Sequence, residues 1–175
     1  RGLVVGGLTR EQLDEGVPEA EALRSLADLR FVNRWLGNRG SVLRAVRAHL
    51  PAGGRLLDVG CGSGDVPAFL RARLPGPFLA VGVDVKALHL RAAPLSVRRV
   101  VADVRCLPFP DRAFDVVTAS LFLHHFAEAD LPAILAGLHR LARRALVVND
   151  LRRARVPYLF GRVAFPLLFR SRVSV

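Results

Sequence analysis

The chain contains no methionine, a single tryptophan, a single tyrosine and two cysteines. Lysine is almost missing too: of 26 basic residues, all but Lys86 are arginine. Two separated cysteines, Cys61 in a glycine turn and Cys106 in a later loop, make neither a metal-binding pattern nor a disulfide framework. No metal is therefore expected, and a reducing cytoplasm is the natural setting. No run of about 18 uninterrupted apolar residues is present to span a bilayer. Arg1-Gly2-Leu3 shows neither an initiator methionine nor a leader pattern, so the sequence is expected to begin inside a longer one. The net charge of +11 rests almost entirely on arginine. Surfaces dedicated to nucleic acid generally use lysine as well, so this bias reads first as coding composition and argues only weakly for a phosphate partner.

What is present fits one α/β domain: 175 residues, 51% of them hydrophobic, enough for a buried parallel sheet but too few for two ordinary domains. Residues 1–50 read as a helical lead-in. Thr9 and Gln12 resemble a capping box, Pro18 and Glu19 open a second helix, and Val42, Leu43, Val46 and Leu50 stripe a third. From residue 55 the pattern changes to short apolar runs at 55–59, 78–84, 98–102, 114–120 and 144–149, with helices expected at about 65–74, 86–93 and 130–142. Right-handed crossovers then order the strands 3-2-1-4-5, counting the run at 55–59 as the first. Residues 51–155 make up this unit, and 156–175 form an apolar and basic tail.

Between the first run and its helix lies Leu56-Leu57-Asp58-Val59-Gly60-Cys61-Gly62-Ser63-Gly64-Asp65. Glycines at alternate positions allow a sharp turn and a close approach to a ligand, and the turn is expected to leave a row of free amide N–H groups. A dinucleotide fingerprint would place its third glycine one residue later, where Asp65 stands, so the spacing points away from a pyrophosphate. The stretch LLDVGCGSGD resembles the first motif of the Rossmann-like methyltransferases that use S-adenosylmethionine (SAM). The resemblance covers about residues 52–150. It implies a doubly wound, mainly parallel sheet under an N-terminal helical cap, with terminal antiparallel strands that are not evident in this chain.

The resemblance also implies SAM as cofactor and S-adenosylhomocysteine as product, with Asp58, Gly60, Cys61, Gly62 and Gly64 at the turn. Asp84 ends the second run 20 residues after Gly64, where a carboxylate can accept both hydroxyls of a ribose. Asp103 ends the third and would accept from the adenine amine, with Val85 and Val104 against the ring faces. In the resembled family the backbone around Ser120 and Leu121 holds the methionine amino group. His124 and His125 follow, and either could serve as the base, since a neutral imidazole titrates near pH 6.5. Trp35 sits where such enzymes place a cap over the cofactor.

The expected partner is a small-molecule acceptor, of polyketide, phenolic or quinone-like type, methylated on oxygen or carbon by direct displacement. Asn149 and Asp150 read as acceptor-side polar groups or helix caps. The tail from Val156 reads as core packing, or as a lid touching a lipophilic substrate or a membrane surface. Two rivals stand beside this reading. A nucleic-acid methyltransferase would carry Asp/Asn-Pro-Pro-aromatic where Ser120 to Leu123 stand, or a catalytic cysteine, and the sequence has neither there. A non-catalytic module that keeps the fold would be told apart by SAM calorimetry. Nothing in the pattern fixes an oligomeric state.

Overall fold

Valine, leucine and alanine dominate the central strands, which are covered on both faces as a parallel sheet between helices requires. The computed structural model describes residues 4–6 and 38–150. In chain order it forms strand β1 (Val4–Gly6), helix α1 (Asn38–Arg47), β2 (Arg55–Val59), α2 (Asp65–Arg73), β3 (Leu79–Asp84), α3 (Ala87–Arg91), β4 (Arg98–Ala102), β5 (Phe114–Ser120), α4 (Leu131–Leu141) and β6 (Ala142–Asn149). Two single 3-10 turns, Val104–Cys106 and Leu123–His125, follow β4 and β5. The sheet runs β1-β4-β3-β2-β5-β6, and every described pairing is parallel.

The last five of these strands stand in the expected 3-2-1-4-5 order. β1 was not anticipated: the stretch read as purely helical contains a Val-Val-Gly strand that pairs with β4, Val4 opposite Val100. Three residues give too short an alternation to be visible as a strand, and the pairing partner lies far along the chain. The helices expected between Thr9 and Gly37, Trp35, and the tail from Val156 lie outside the described residues.

Strand periodicity sorts the core into two layers. Leu57, Val59, Val81, Val83, Val117 and Ala119 face α4, whose Ile134, Leu138 and Leu141 are buried against them. Leu56, Ala80 and Val116 face the other way, onto Val42 and Val46 of α1 and Val66 and Leu70 of α2. Asp58, Gly82 and Thr118 share that second face, side by side on β2, β3 and β5, because Asp58 is in register with both Gly82 and Thr118. Neighbours β3 and β5 connect to β2 in opposite senses, so the carboxyl ends of β2 and β5 form the switch point where ligands of such sheets bind.

Candidate functional site

At that switch point the chain turns through Gly60, Gly62 and Gly64, with φ of 66°, 53° and 68°. Gly60 admits no side chain for a second reason: a Cβ there would lie 2.0 Å from the ring of Phe122. The expected row of free amides is not what forms. Cys61 N–H donates to the Val83 carbonyl at 2.9 Å, Gly64 N–H to the Cys61 carbonyl at 2.9 Å, and Gly62 N–H to Asp84 Oδ2 at 2.9 Å. The turn folds back onto the end of β3, whose last carbonyl and carboxylate are nearer acceptors than any ligand. Asp84 is thereby held at both oxygens, since Oδ1 accepts the N–H of Lys86 at 2.9 Å. Each oxygen keeps further acceptor capacity, which a hydroxyl can use.

An apolar-walled cavity of about 130 Å³ opens beside Asp84. Of the residues singled out from sequence, Gly60, Asp84, Val85, Asp103 and Val104 line it. Asp58, Cys61, Gly62, Gly64, Ser120, Leu121, His124 and His125 are not in its wall. The cavity is small beside usual ligand pockets of roughly 300–1,000 Å³, and Phe122, whose ring packs on Gly60, forms part of its wall. Two carboxylates at adjacent strand ends, between valine walls, suit a ligand with vicinal hydroxyls and a flat aromatic base; an adenosyl group meets that description.

Three wall residues had no place in the sequence reading: Phe122, Phe126 and Arg105. The two rings meet edge to face with centroids 5.1 Å apart, and the Arg105 guanidinium sits 5.1 Å from the Phe126 centroid. Arg105 also donates its N–H to Asp103 Oδ1 at 2.8 Å and pairs with Asp103 Oδ2 at 3.6 Å and Asp130 at 3.3 Å. The signal was available: Phe122 and Phe126 are four residues apart behind a strand that ends at the switch point, and Arg105 follows Asp103 by two.

Beneath the turn, Asp58 is buried and lies 2.6 Å from Thr118 Oγ1. Burial pushes its carboxyl up to about 7, with the Thr118 hydrogen bond opposing and Asp84 adding to the rise. Thr118 Oγ1 is also 3.2 Å from the Leu57 carbonyl. The Thr118 hydroxyl donates to the Asp58 carboxyl and has the Leu57 carbonyl as a second, longer acceptor. Cys61 turns its sulfur onto Gly82, where a Cβ would come within 2.7 Å of it. Burial, then the charges of Asp58 and Asp84, push this thiol well up, so it stays protonated and is not a nucleophile.

Beyond β5, Leu121 adopts φ 51°, a left-handed conformation that costs a non-glycine residue roughly 1–2 kcal/mol. Its N–H donates to the Asn149 carbonyl at 2.9 Å. His124 and His125 follow with ring centroids 4.1 Å apart. Burial, then the neighbouring His124, lower the His125 pKa below its usual 6.5, against the pull of Asp150 and Asp84. His124 Nδ1 is 2.7 Å from Asp150 Oδ1.

A family model described as a methyltransferase domain matches residues 56–145. A demethylmenaquinone methyltransferase of Thermus thermophilus is 37% identical over 94 residues, covering 50% of this chain and 41% of the relative. A 27-O-demethylrifamycin SV methyltransferase of Amycolatopsis mediterranei is 40% identical over 88 residues, covering 45% and 32%. The chain thus spans under half the length of either relative. Among solved structures, a SAM dependent methyltransferase from Aquifex aeolicus superposes with a TM-score of 0.61 at 20% identity, covering 80% of this chain and 76% of that one. At that identity the likeness speaks for the fold.

Proposed function

This chain belongs to the methyltransferase domain family, and we propose that it transfers a methyl group from SAM to oxygen or carbon of a small, phenol-, enol- or quinol-like acceptor. The observation that carries this reading is the pair of carboxylates, Asp84 and Asp103, at the ends of adjacent parallel strands around a valine-walled cavity. Asp84 accepts from the ribose hydroxyls, Asp103 from the adenine amine, and Val85 and Val104 flank the base. The glycine turn lets the rest of the cofactor pass close to the backbone. Phe122 and Phe126 keep water from the cavity wall.

When bound, SAM supplies a methyl group on a positively charged sulfur. What the protein adds is alignment of the acceptor and a place for its proton. The histidine pair after β5 provides that place, because a neutral imidazole accepts a proton from a phenol or enol near neutral pH. The relatives named above act on demethylmenaquinone and demethylrifamycin SV, and their likeness to this chain supports a lipophilic or aromatic acceptor.

Calorimetry with SAM and S-adenosylhomocysteine, followed by transfer of labelled methyl to a reduced demethylated naphthoquinone, tests this. Micromolar binding of both and acceptor-dependent label transfer are expected. Failure of both ligands to bind would remove the reading.

A further inference from the structure

The end of β6 carries a carboxylate to which the reaction above gives no role. Asp150 Oδ2 accepts the backbone N–H of Phe122 at 3.2 Å and of His124 at 3.1 Å, while Oδ1 lies 2.7 Å from His124 Nδ1. One side chain thus fixes both the backbone that presents His124 and the ring itself. A carboxylate only accepts, so the contact at 2.7 Å requires the proton of the neutral ring to be on Nδ1. The lone pair is then on Nε2. Among the described residues no carboxylate bonds the His125 ring in this way: it lies tilted at 41° to His124 with centroids 4.1 Å apart, and the other charges bearing on it are those of Asp150, Asp84 and Lys86.

We propose that Asp150 is the positioning residue of the reaction, locking His124 in its Nδ1–H tautomer so that His124 Nε2, and not His125, takes the acceptor's proton. The assignment rests on the methyl-transfer reading. In the step it serves, the acceptor's O–H or acidic C–H bond breaks and its electron pair stays with the acceptor for the new bond to the methyl carbon, whose former bonding pair would remain on the sulfur of SAM as a neutral thioether. The proton moves to Nε2. The resulting imidazolium is balanced by the Asp150 carboxylate and returns its proton to water afterwards. A His held by a carboxylate at one nitrogen and working through the other is a general solution to this problem. The support around it is rigid, because the Leu121 N–H bond to the Asn149 carbonyl ties the tips of β5 and β6 together.

The test is the long-range ¹H–¹⁵N spectrum of the full chain labelled at histidine, recorded above pH 7. The neutral form of wild-type His124 should carry its proton on Nδ1, and Asp150→Asn should lose that single tautomer while its SAM affinity by calorimetry stays within about twofold of wild type. With the reduced naphthoquinone probe, Asp150→Asn should slow turnover by about 10²-fold, and Asp150→Asn/His124→Ala should be no slower than His124→Ala alone. An Nε2–H ring in the wild type, an unchanged tautomer in Asp150→Asn, or a double variant slowed multiplicatively would overturn the assignment. Should Asp150→Asn fail to fold, the wild-type spectrum decides by itself. A wild type with the Nδ1–H ring that binds no SAM overturns the methyl-transfer reading and the catalytic half of this one. The wrong tautomer in a protein that does bind SAM overturns this one alone.

Discussion

The carboxylate of Asp84 accepts the N–H of Gly62 at 2.9 Å, so the end of β3 and the glycine turn after β2 form one hydrogen-bonded unit across neighbouring strands. Replacing Asp84 therefore does two things: it removes an acceptor for ribose and frees the turn. Hydrogen bonds to a charged group contribute about 1.5–3 kcal/mol each. Asp84→Ala should weaken SAM binding by at least about 100-fold, and Asp84→Asn, which keeps one acceptor oxygen, by about tenfold, both read by calorimetry. Unchanged affinity in Asp84→Ala would show that the ligand sits elsewhere.

Gly60→Ala combines a backbone penalty with a collision. A left-handed alanine costs roughly 1–2 kcal/mol, and its methyl would stand 2.0 Å from the Phe122 ring, which must then move into the cavity. The variant should lose about 1–3 kcal/mol in urea unfolding, and the stabilisation that S-adenosylhomocysteine gives the wild type in thermal melts should vanish.

Asp58 makes stability depend on pH in an uncommon direction. Its folded pKa of about 7 lies above the ordinary 3.8, so between those values the folded state binds more protons than the unfolded one. Its contribution is fully present below about pH 4 and is lost as pH rises through about 7. Asp58→Asn keeps an acceptor for Thr118 and carries no charge. It should match wild type near pH 4 and exceed it by on the order of 2–4 kcal/mol at pH 8, measured by urea unfolding at both pH values. Equal stabilities at pH 8 would show that the buried carboxyl ionises without cost.

His125 acts with the opposite sign. Its folded pKa is lowered from 6.5, chiefly by burial, so the unfolded state takes up the proton first. The contribution is present above pH 6.5 and is lost as pH falls through the depressed folded value. His125→Asn should flatten the acid side of the stability profile between about pH 7 and 5. The titration of the His125 ring by NMR gives the midpoint directly, and a midpoint above 6.5 would contradict the burial argument.

Most of the sheet was legible because its strands are apolar runs of five to eight residues separated by helix-length segments, a pattern local enough to read. Asp84, Asp103, Val85 and Val104 were legible for the same reason: each follows directly from where a strand stops. The rest depends on contacts between distant residues. That the turn amides would be taken by Val83 and Asp84 depends on how the turn folds against β3. The pairing of Asp150 with His124 needs β6 laid in register beside β5, Ser120 opposite Asn149. Leu121 gave no warning of its left-handed backbone, since only a glycine there would have announced it.

Pairing Val4 with Val100 has a bearing on how the molecule is made. β1 must wait for nearly a hundred further residues before its neighbour β4 exists, whereas β2 and β3 can zip together as soon as α2 closes between them. Assembly should therefore spread outward from the middle of the sheet, with the rim added last. A chain lacking Val4–Gly6 would still build the centre, but would leave the side of β4 that β1 covers open to strands from other molecules.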